Sequence, residues 1–206
     1  MASDRLLHRF SFTERLVHWV VGVTFVLLLA TGLAFAHPPL FFLTALLGGG
    51  PAARVLHPWV GALFSVAMLA MIWIWIRDMF LDAADRRWLQ ALPAYVTRDR
   101  EHVPPAGKYN AGQKLFFWSQ FVFAAFFLLS GIPLWFPAGW ESSTLQWMRL
   151  THYAVTLGGG VALVVHVYLG TLAYPGTARS MIDGKVTERW ARHHHPAWKP
   201  EESPRT

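Results

Sequence analysis

The sequence predicts an all-α membrane protein with four transmembrane helices, and two observations carry this prediction. The first is composition, because 54% of the 206 residues are apolar and only 15% are charged, which lies on the apolar side of the soluble average. The second is a set of four charge-free stretches of 21 to 25 residues, each close to the ~20 residues with which a helix crosses a hydrocarbon core. The predicted spans are residues 16–36, 55–76, 115–136 and 150–174.

The first span resembles a secretory signal, since arginines precede it and Ala34-Phe35-Ala36 looks like a small-residue cleavage site. Its apolar stretch is longer than the core of about 7–15 residues that such signals carry. We therefore interpret it as a retained helix.

The connections have different compositions, and together with the spans they indicate one membrane domain over residues 1–206. In the first outer loop, residues 37–54, the apolar run 40–47 suits an interfacial helix or a re-entrant piece. The inner loop, residues 77–114, has helical apolar spacing in its first part. The polar tail from residue 175 carries Trp190 and Trp198, which indicates packing against a partner or fraying beyond Pro196.

The basic residues predict the topology. Sixteen of the 18 lie in the N-terminal lead, the inner loop or the tail, and only Arg54 and Arg149 lie on the other side. The positive-inside tendency then predicts that both termini are cytoplasmic. We attribute the net charge of +6 to topology and to attraction by anionic lipid, because no nucleic-acid-binding motif accompanies it.

The absence of cysteine limits the redox cofactors that this chain can hold. With no cysteine in the sequence, it has no thiolate ligands for an iron–sulfur cluster and no C-x-x-C-H site for covalent haem attachment. A haem would be bound non-covalently, and an iron–sulfur cluster would belong to a partner.

Four histidines lie inside the apolar spans: His18, His57, His152 and His166. Fourteen residues separate His152 from His166, which places both on one face of the fourth helix and about 21 Å apart along its axis. His18 begins a span that enters from inside, and His57 begins one that enters from outside. The depths therefore pair His57 with His152 near the outer surface and His18 with His166 near the inner one.

Two stacked bis-histidine sites predict a helix bundle enclosing two b-type haems. Iron held by two imidazoles and a porphyrin has no free position for oxygen or substrate, so such centres relay electrons. Hydrogen-bonded structural histidines are one alternative, and a metal transporter is another. Transport sites usually recruit carboxylates, and these spans contain no Asp or Glu.

A glycine follows three of these histidines by four residues, on the same helical face: Gly22, Gly61 and Gly170. A missing side chain there would let a flat macrocycle approach the backbone. Ordinary helix packing is the alternative explanation, because glycine is common in membrane helices.

An arginine precedes three of them by three residues: Arg15, Arg54 and Arg149. The two basic residues on the outer side both belong to this set, and a guanidinium near the interface suits a haem propionate. The alternative is an arginine that reaches to the interface without a ligand. His193, His194 and His195 in the tail favour a solvated basic patch over a surface metal site.

Two further segments carry a family resemblance. The inner loop reads Gly107-Lys108-Tyr109-Asn110-Ala111-Gly112-Gln113-Lys114, and the tail reads Met181-Ile182-Asp183-Gly184-Lys185-Val186 followed by Arg189-Trp190-Ala191. With the four spans and their histidines, the chain resembles the cytochrome b gamma subunit of membrane-bound formate dehydrogenases from about residue 15 to 198. The histidines alone also fit cytochrome b subunits of nickel–iron hydrogenases, and a haemless membrane anchor is the alternative from another class.

The resemblance implies an electron carrier in the bacterial inner membrane, without activity toward formate on its own. Electrons would come from the iron–sulfur (beta) subunit of a complex whose alpha subunit holds molybdenum or tungsten. They would pass through the outer and inner haems to menaquinone or ubiquinone, bound near Asn110, Gly112 and Gln113. The two amides can donate hydrogen bonds to a quinone carbonyl, although a cap for the third span is an alternative role.

Overall fold

The computed structural model describes residues 5–97, 99 and 103–200, and most of them are helical. In chain order the α-helices are α1 (Phe12–Ala36), α2 (Gly50–Trp75), α3 (Ala83–Gln90), α4 (Leu92–Val96), α5 (Ala111–Trp135), α6 (Ser142–Tyr168), α7 (Arg179–Ile182) and α8 (Glu188–His194). Short helices of other types cover Pro38–Leu47, Ile76–Asp78 and Leu169–Ala173. The strands are β1 (Leu6–His8) and β2 (Lys185–Thr187).

The four predicted spans are confirmed. Within the described ranges, four helices are long and apolar enough to cross a membrane: Phe12–Ala36, Gly50–Asp78, Ala111–Trp135 and Ser142–Ala173. Each begins four to eight residues before its charge-free stretch, because the helix continues through interfacial charges to its cap. In α1 this cap is reciprocal: the Glu14 carboxylate accepts from the Ser11 N–H at 2.7 Å, and the Ser11 hydroxyl accepts from the Glu14 N–H at 3.2 Å.

The connections also contain the helices that their apolar spacing predicts. The run 40–47 lies in a ten-residue 3₁₀ helix, Pro38–Leu47, that ends at Gly48 with φ +84°. The inner loop contains α3 and α4. Asp82 caps α3 by accepting from the backbone N–H groups of Ala84 and Asp85, and this hydrogen bonding keeps the pKa of Asp82 below its usual value.

The chain divides into two compact units, and we call the first the helical unit: residues 16–73 and 120–168. Its interior is aromatic, with the Phe25 ring centre 5.9 Å from that of Phe64 and 6.2 Å from that of Phe127. Gly159 of α6 lies against these rings, and a Cβ there would stand 3.0 Å from Phe25 Cζ. Glycine thus permits a close approach of α6 to the aromatic side chains.

The second, or loop-and-tail, unit comprises the described residues of 1–15, 74–119 and 169–206. It contains a two-stranded antiparallel sheet in which Leu6 of β1 pairs with Thr187 of β2, so the prediction of an all-α fold omitted one small sheet. Val186, Trp190 and Ala191 form a buried cluster with Leu7 and Trp198 packed on it. The tail therefore folds on the N-terminal lead of its own chain, and Trp198, beyond Pro196, is packed and not frayed. Residues 201–206, to which the prediction of fraying also applied, lie outside the described part.

Arg9 is at the centre of this unit and is only 4% exposed. Its Cζ lies 4.7 Å from the ring centre of Trp190 and 5.2 Å from that of Trp198, close enough for cation–π attraction. Its Nη2 donates to the carbonyl of Lys108 at 2.7 Å and to Nε2 of His195 at 3.2 Å. Burial lowers the pKa of Arg9 to about 10, which leaves the guanidinium charged at neutral pH.

His195 departs from the prediction of a solvated basic patch, because it is 4% exposed. Its Nδ1–H donates to the carbonyl of Gly107 at 2.6 Å, since Nε2 accepts from Arg9, which can only donate. Burial, and next the charge of Arg9, lower the pKa of His195 to about 3. The imidazole is therefore neutral at pH 7 and joins the tail to the inner loop.

A buried ion pair anchors the start of α5 to α3. Lys114 Nζ lies 2.6 Å from Asp85 Oδ2, and the two residues are 8% and 5% exposed. The same ammonium donates to the Phe80 carbonyl at 3.1 Å.

We expect Lys114→Met to destabilise the protein by about 3–5 kcal/mol, because it leaves the Asp85 carboxylate buried without its cation. For a chain of this size, that corresponds to a fall of roughly 10 °C in the melting temperature of the detergent-purified protein. Arg192→Met is the matched control, since it breaks the Arg192–Glu188 pair whose arginine side chain is 79% exposed, and it should cost under about 1 kcal/mol. Equal melting temperatures for the two variants would contradict the importance of the buried pair.

We expect His195 to make the protein less stable in acid. Between the unfolded pKa of about 6.5 and the folded value of about 3, only the unfolded chain binds this proton, so the contribution of His195 falls as pH drops from 7 to 4. His195→Gln lacks this titration, and its melting temperature should decline less steeply over that range than that of the parent. His8→Gln, at an exposed histidine of β1, is the control, and parallel curves for the parent and His195→Gln would refute the assignment.

Candidate functional site

The helical unit brings the four intramembrane histidines together in two pairs. His57 of α2 and His152 of α6 have ring centres 6.5 Å apart, and the rings are inclined by 58°. His18 of α1 and His166 of α6 have ring centres 6.0 Å apart, inclined by 48°. Because α6 contributes to both pairs, its fourteen-residue spacing separates them by about 21 Å along the helix.

These spacings fit a haem iron between each pair of rings. A metal–nitrogen bond of about 2 Å, and about 1 Å more from the nitrogen to the ring centre, put two axial imidazoles roughly 6 Å apart. In the described part of the chain, no group of three or more His, Cys, Asp or Glu side chains could hold a metal ion. A site with two imidazole donors suits a metal whose other ligands belong to a prosthetic group, as the porphyrin nitrogens do in haem.

A hydroxyl group contacts each ring of the His57–His152 pair. Thr31 Oγ1 of α1 lies 2.7 Å from His57 Nδ1, and Ser130 Oγ of α5 lies 2.9 Å from His152 Nδ1. Both contacts engage Nδ1 and leave Nε2 available for coordination. Sequence reasoning missed both residues.

Each hydroxyl residue is followed by a glycine that touches the same ring. A Cβ on Gly32 would lie 3.8 Å from His57 Cε1, and one on Gly131 would lie 3.7 Å from His152 Cε1. Thr31-Gly32 and Ser130-Gly131 are thus equivalent dipeptides on two helices, and this repeat is the sequence signal for them. The signal is weak by itself, since Thr and Gly also occur in apolar spans for packing.

The three predicted glycines have open surroundings. Among the described residues, a Cβ on Gly22 or Gly170 would meet no heavy atom within 4 Å, and one on Gly61 would meet only Leu28 at 4.0 Å. By contrast, Gly158, Gly159 and Gly160 lie against Phe and Leu side chains. Close helix packing therefore accounts for the triple glycine and not for the three predicted positions.

The three predicted arginines lie in different environments. Arg54 borders a cleft of about 550 Å³ together with Ala34, Phe35, Pro38 and Phe41, and the Phe35 ring lies 5.6 Å from that of His57. Arg149 is exposed, and its Nε donates to the Leu145 carbonyl of its own helix at 3.3 Å. Arg15 belongs to the loop-and-tail unit, where its Nη1 donates to the Ile182 carbonyl at 2.6 Å. Arg54 thus lies in a cleft that includes Phe35, the neighbour of the His57 ring.

The predicted quinone-binding residues form the cap of α5. The Asn110 side-chain oxygen accepts from the Gln113 N–H, and the Gln113 side-chain oxygen accepts from the Asn110 N–H, both at 2.9 Å. A Cβ on Gly112 would lie 3.3 Å from Trp88 Cη2 and from Asn110 Oδ1, so glycine allows the close packing of this turn. The cap that was the alternative role is present, but it uses only the oxygens of the two amides and leaves their NH₂ groups for another partner.

Comparison with known families agrees with the paired imidazoles. The model of the family described as prokaryotic cytochrome b561 matches residues 9–184, a range that includes all four histidines. The chain belongs to the prokaryotic cytochrome b561 family. A cytochrome b of this family carries haem b and transports electrons, and non-covalent haem agrees with the absence of cysteine. With the four spanning helices, membership indicates a bacterial membrane protein.

Named relatives match this cytochrome over nearly its full length. It is 32% identical over 201 residues to the nitrate-inducible formate dehydrogenase cytochrome b556(Fdn) subunit of Escherichia coli K12, covering 96% of this chain and 92% of the relative. The cytochrome b556(fdo) subunit of the same organism is 30% identical, covering 92% and 90% of the two chains. The formate dehydrogenase cytochrome b556 subunit of Haemophilus influenzae is 30% identical, covering 98% and 86%. These matches confirm the resemblance to formate dehydrogenase cytochrome b subunits.

Proposed function

We propose that this cytochrome is the membrane subunit of a formate dehydrogenase complex and relays electrons through two bis-histidine haems b to a quinone. The observation that carries the proposal is the arrangement of two imidazole pairs, with ring centres 6.5 Å and 6.0 Å apart, at positions fourteen residues apart on α6. The similarity to three formate dehydrogenase subunits supports the choice of complex.

The chain would hold both haems through its imidazoles. His57 and His152 bind the outer haem, and His18 and His166 bind the inner one, with the open backbone at Gly22 and Gly61 providing room beside two of the ligands. Arg54 is the arginine best placed for a propionate of the outer haem, given its position in the cleft beside Phe35. When bound, each haem supplies a one-electron redox centre without an open coordination position.

The proposed topology assigns the two histidine pairs to opposite sides of the membrane. Sixteen of 18 basic residues support cytoplasmic termini and an inner-membrane location, so the His57–His152 pair is on the outer side. In the proposed complex, a molybdenum or tungsten catalytic subunit would oxidise formate, and the iron–sulfur subunit would deliver the electrons to the His57–His152 side of this chain. Each electron moved inward works against about 2.3 kcal/mol per 100 mV of membrane potential, so separating entry from exit conserves energy.

The quinone is proposed to bind beside the cap of α5. Because the capping oxygens of Asn110 and Gln113 are engaged, the two NH₂ groups are the available donors for a quinone carbonyl. The chain's own part in this reaction is to bind and orient menaquinone or ubiquinone at the inner surface, where protons come from the cytoplasm.

We expect His57→Ala to remove one of two haems per chain, because each iron needs both imidazoles. Haem counted per chain and reduced-minus-oxidised spectra of the purified complex measure the loss, and His18→Ala should remove the other haem. In both variants, formate-driven quinone reduction should stop while formate oxidation by a soluble dye continues. His37→Ala, at an exposed histidine outside the spans, is the control. Retention of both haems in His57→Ala would refute the ligand assignment.

We expect Asn110→Asp and Gln113→Glu to separate capping from quinone binding. Each replacement keeps the oxygen that caps α5, and a carboxylate is favourable at a helix N-terminus. Each removes an NH₂ donor, so the KM for quinone should rise by roughly tenfold with an unchanged melting temperature. Asn110→Ala is the comparison that loses the cap as well. An unchanged KM in both carboxylate variants would leave these residues with a structural role only.

A further inference from the structure

Thr31 and Ser130, the two hydroxyl residues that contact the His57–His152 pair, are fully buried. They are 0% and 1% exposed, and they are two of the three largest side chains with under 2% exposure among the described residues. A buried hydroxyl is costly unless its hydrogen-bonding capacity is met. Each of these hydroxyls meets it with a carbonyl of its own helix and with a histidine ring.

The protons in these contacts can be assigned by counting donors. Thr31 Oγ1 lies 2.7 Å from the Leu27 carbonyl, which can only accept, so the threonine proton points there. The oxygen is then an acceptor toward His57 Nδ1 at 2.7 Å, and the hydrogen of that bond must be on the ring. The histidine is therefore the Nδ1–H tautomer, with its Nε2 lone pair free.

Ser130 repeats this arrangement on another helix. Its Oγ lies 2.6 Å from the Phe126 carbonyl and donates to it, so it accepts from His152 Nδ1–H at 2.9 Å. Two independent helices, α1 and α5, thus orient the two rings of one pair through the same chemistry. Chance placement of a polar side chain explains two such contacts less well than one.

We propose that Thr31 and Ser130 are positioning residues that fix the tautomers of His57 and His152 and increase electron donation from these rings to the outer haem. The inference rests on the proposed function, because it takes the two histidines as axial ligands. An imidazole that donates a hydrogen bond from Nδ1–H is a more basic ligand at Nε2. A more basic ligand stabilises ferric iron over ferrous iron and lowers the midpoint potential.

The pair on the inner side differs in one respect. Nδ1 of His18 is buried, and the residues that the structure describes offer it no hydrogen-bond partner. This ring lacks the donation that His57 and His152 make, so the inner haem should have the higher potential. Electrons entering at the outer haem would then move downhill toward the quinone.

Redox titration of the purified complex tests the proposal. Thr31→Val and Ser130→Ala remove a hydroxyl with little change in volume, and each should raise the midpoint potential of the outer haem while leaving the inner one unchanged. A threefold to tenfold change in the reduced-to-oxidised ratio at a fixed potential corresponds to about 30–60 mV for a one-electron couple. Thr31→Ser and Ser130→Thr keep a hydroxyl and should restore the parent value.

Two matched controls lose the same intrahelical bond without touching a histidine. Thr24→Val removes a hydroxyl that donates to Val20 on α1, and Ser65→Ala removes one that donates to Gly61 on α2. Both should leave the two potentials unchanged. The same shift in the controls and the test variants would assign the effect to helix geometry and overturn the proposal.

The outcome separates this inference from the proposed function. If Thr31→Val and Ser130→Ala keep two haems with unchanged potentials, the hydroxyls do not tune the haem and the inference fails while the relay stands. If His57→Ala keeps both haems, the relay itself fails. A rise in the lower of two potentials, in both hydroxyl variants and in neither control, supports the inference.

Discussion

Everything in the helical unit depends on how apolar helices accommodate imidazole rings, each of which has two nitrogens that must find a partner. In the His57–His152 pair, Nδ1 of each ring is bonded to a hydroxyl at 2.7 or 2.9 Å, and the ring centres lie 6.5 Å apart. Because α6 supplies one member of each pair, rotation or translation of this single helix would disturb both sites together. The glycines that let α6 approach Phe25 and Phe127 therefore support the two sites as much as the packing.

The loop-and-tail unit has a different task, which is to hold charged side chains inside an apolar and aromatic core. Arg9 has aromatic rings and a carbonyl around it, with the neutral His195 as a further acceptor. Lys114 has Asp85. Both cations bind to segments that are distant from them in sequence, and these specific contacts stabilise the unit. The Lys114–Asp85 ion pair anchors the start of α5, which also contains the capping amides.

The sequence alone was sufficient to predict the features that depend on segment length and on residue spacing along one helix. Charge-free length predicted the four spans, and the fourteen-residue interval between His152 and His166 predicted two depths on one helix. It was insufficient where the partner lies on another helix, since only the following glycine distinguishes Thr31 from Thr24, which donates to its own helix, and a glycine in an apolar span is a weak signal. Likewise, three residues, Leu6–His8, are too few for their sequence pattern to predict a strand. They form one only by pairing with β2, some 180 residues later in the chain.

The pairing of β1 with β2 also imposes an order on biogenesis. The first strand leaves the ribosome before any spanning helix, whereas its partner emerges only after all four have been made. Until then β1 has an unpaired edge, and Leu7 lacks the cover that Val186 and Trp190 provide. Closure of this small sheet can therefore occur only after β2 has been made, and a product truncated before β2 would display an open strand that quality-control proteases can recognise.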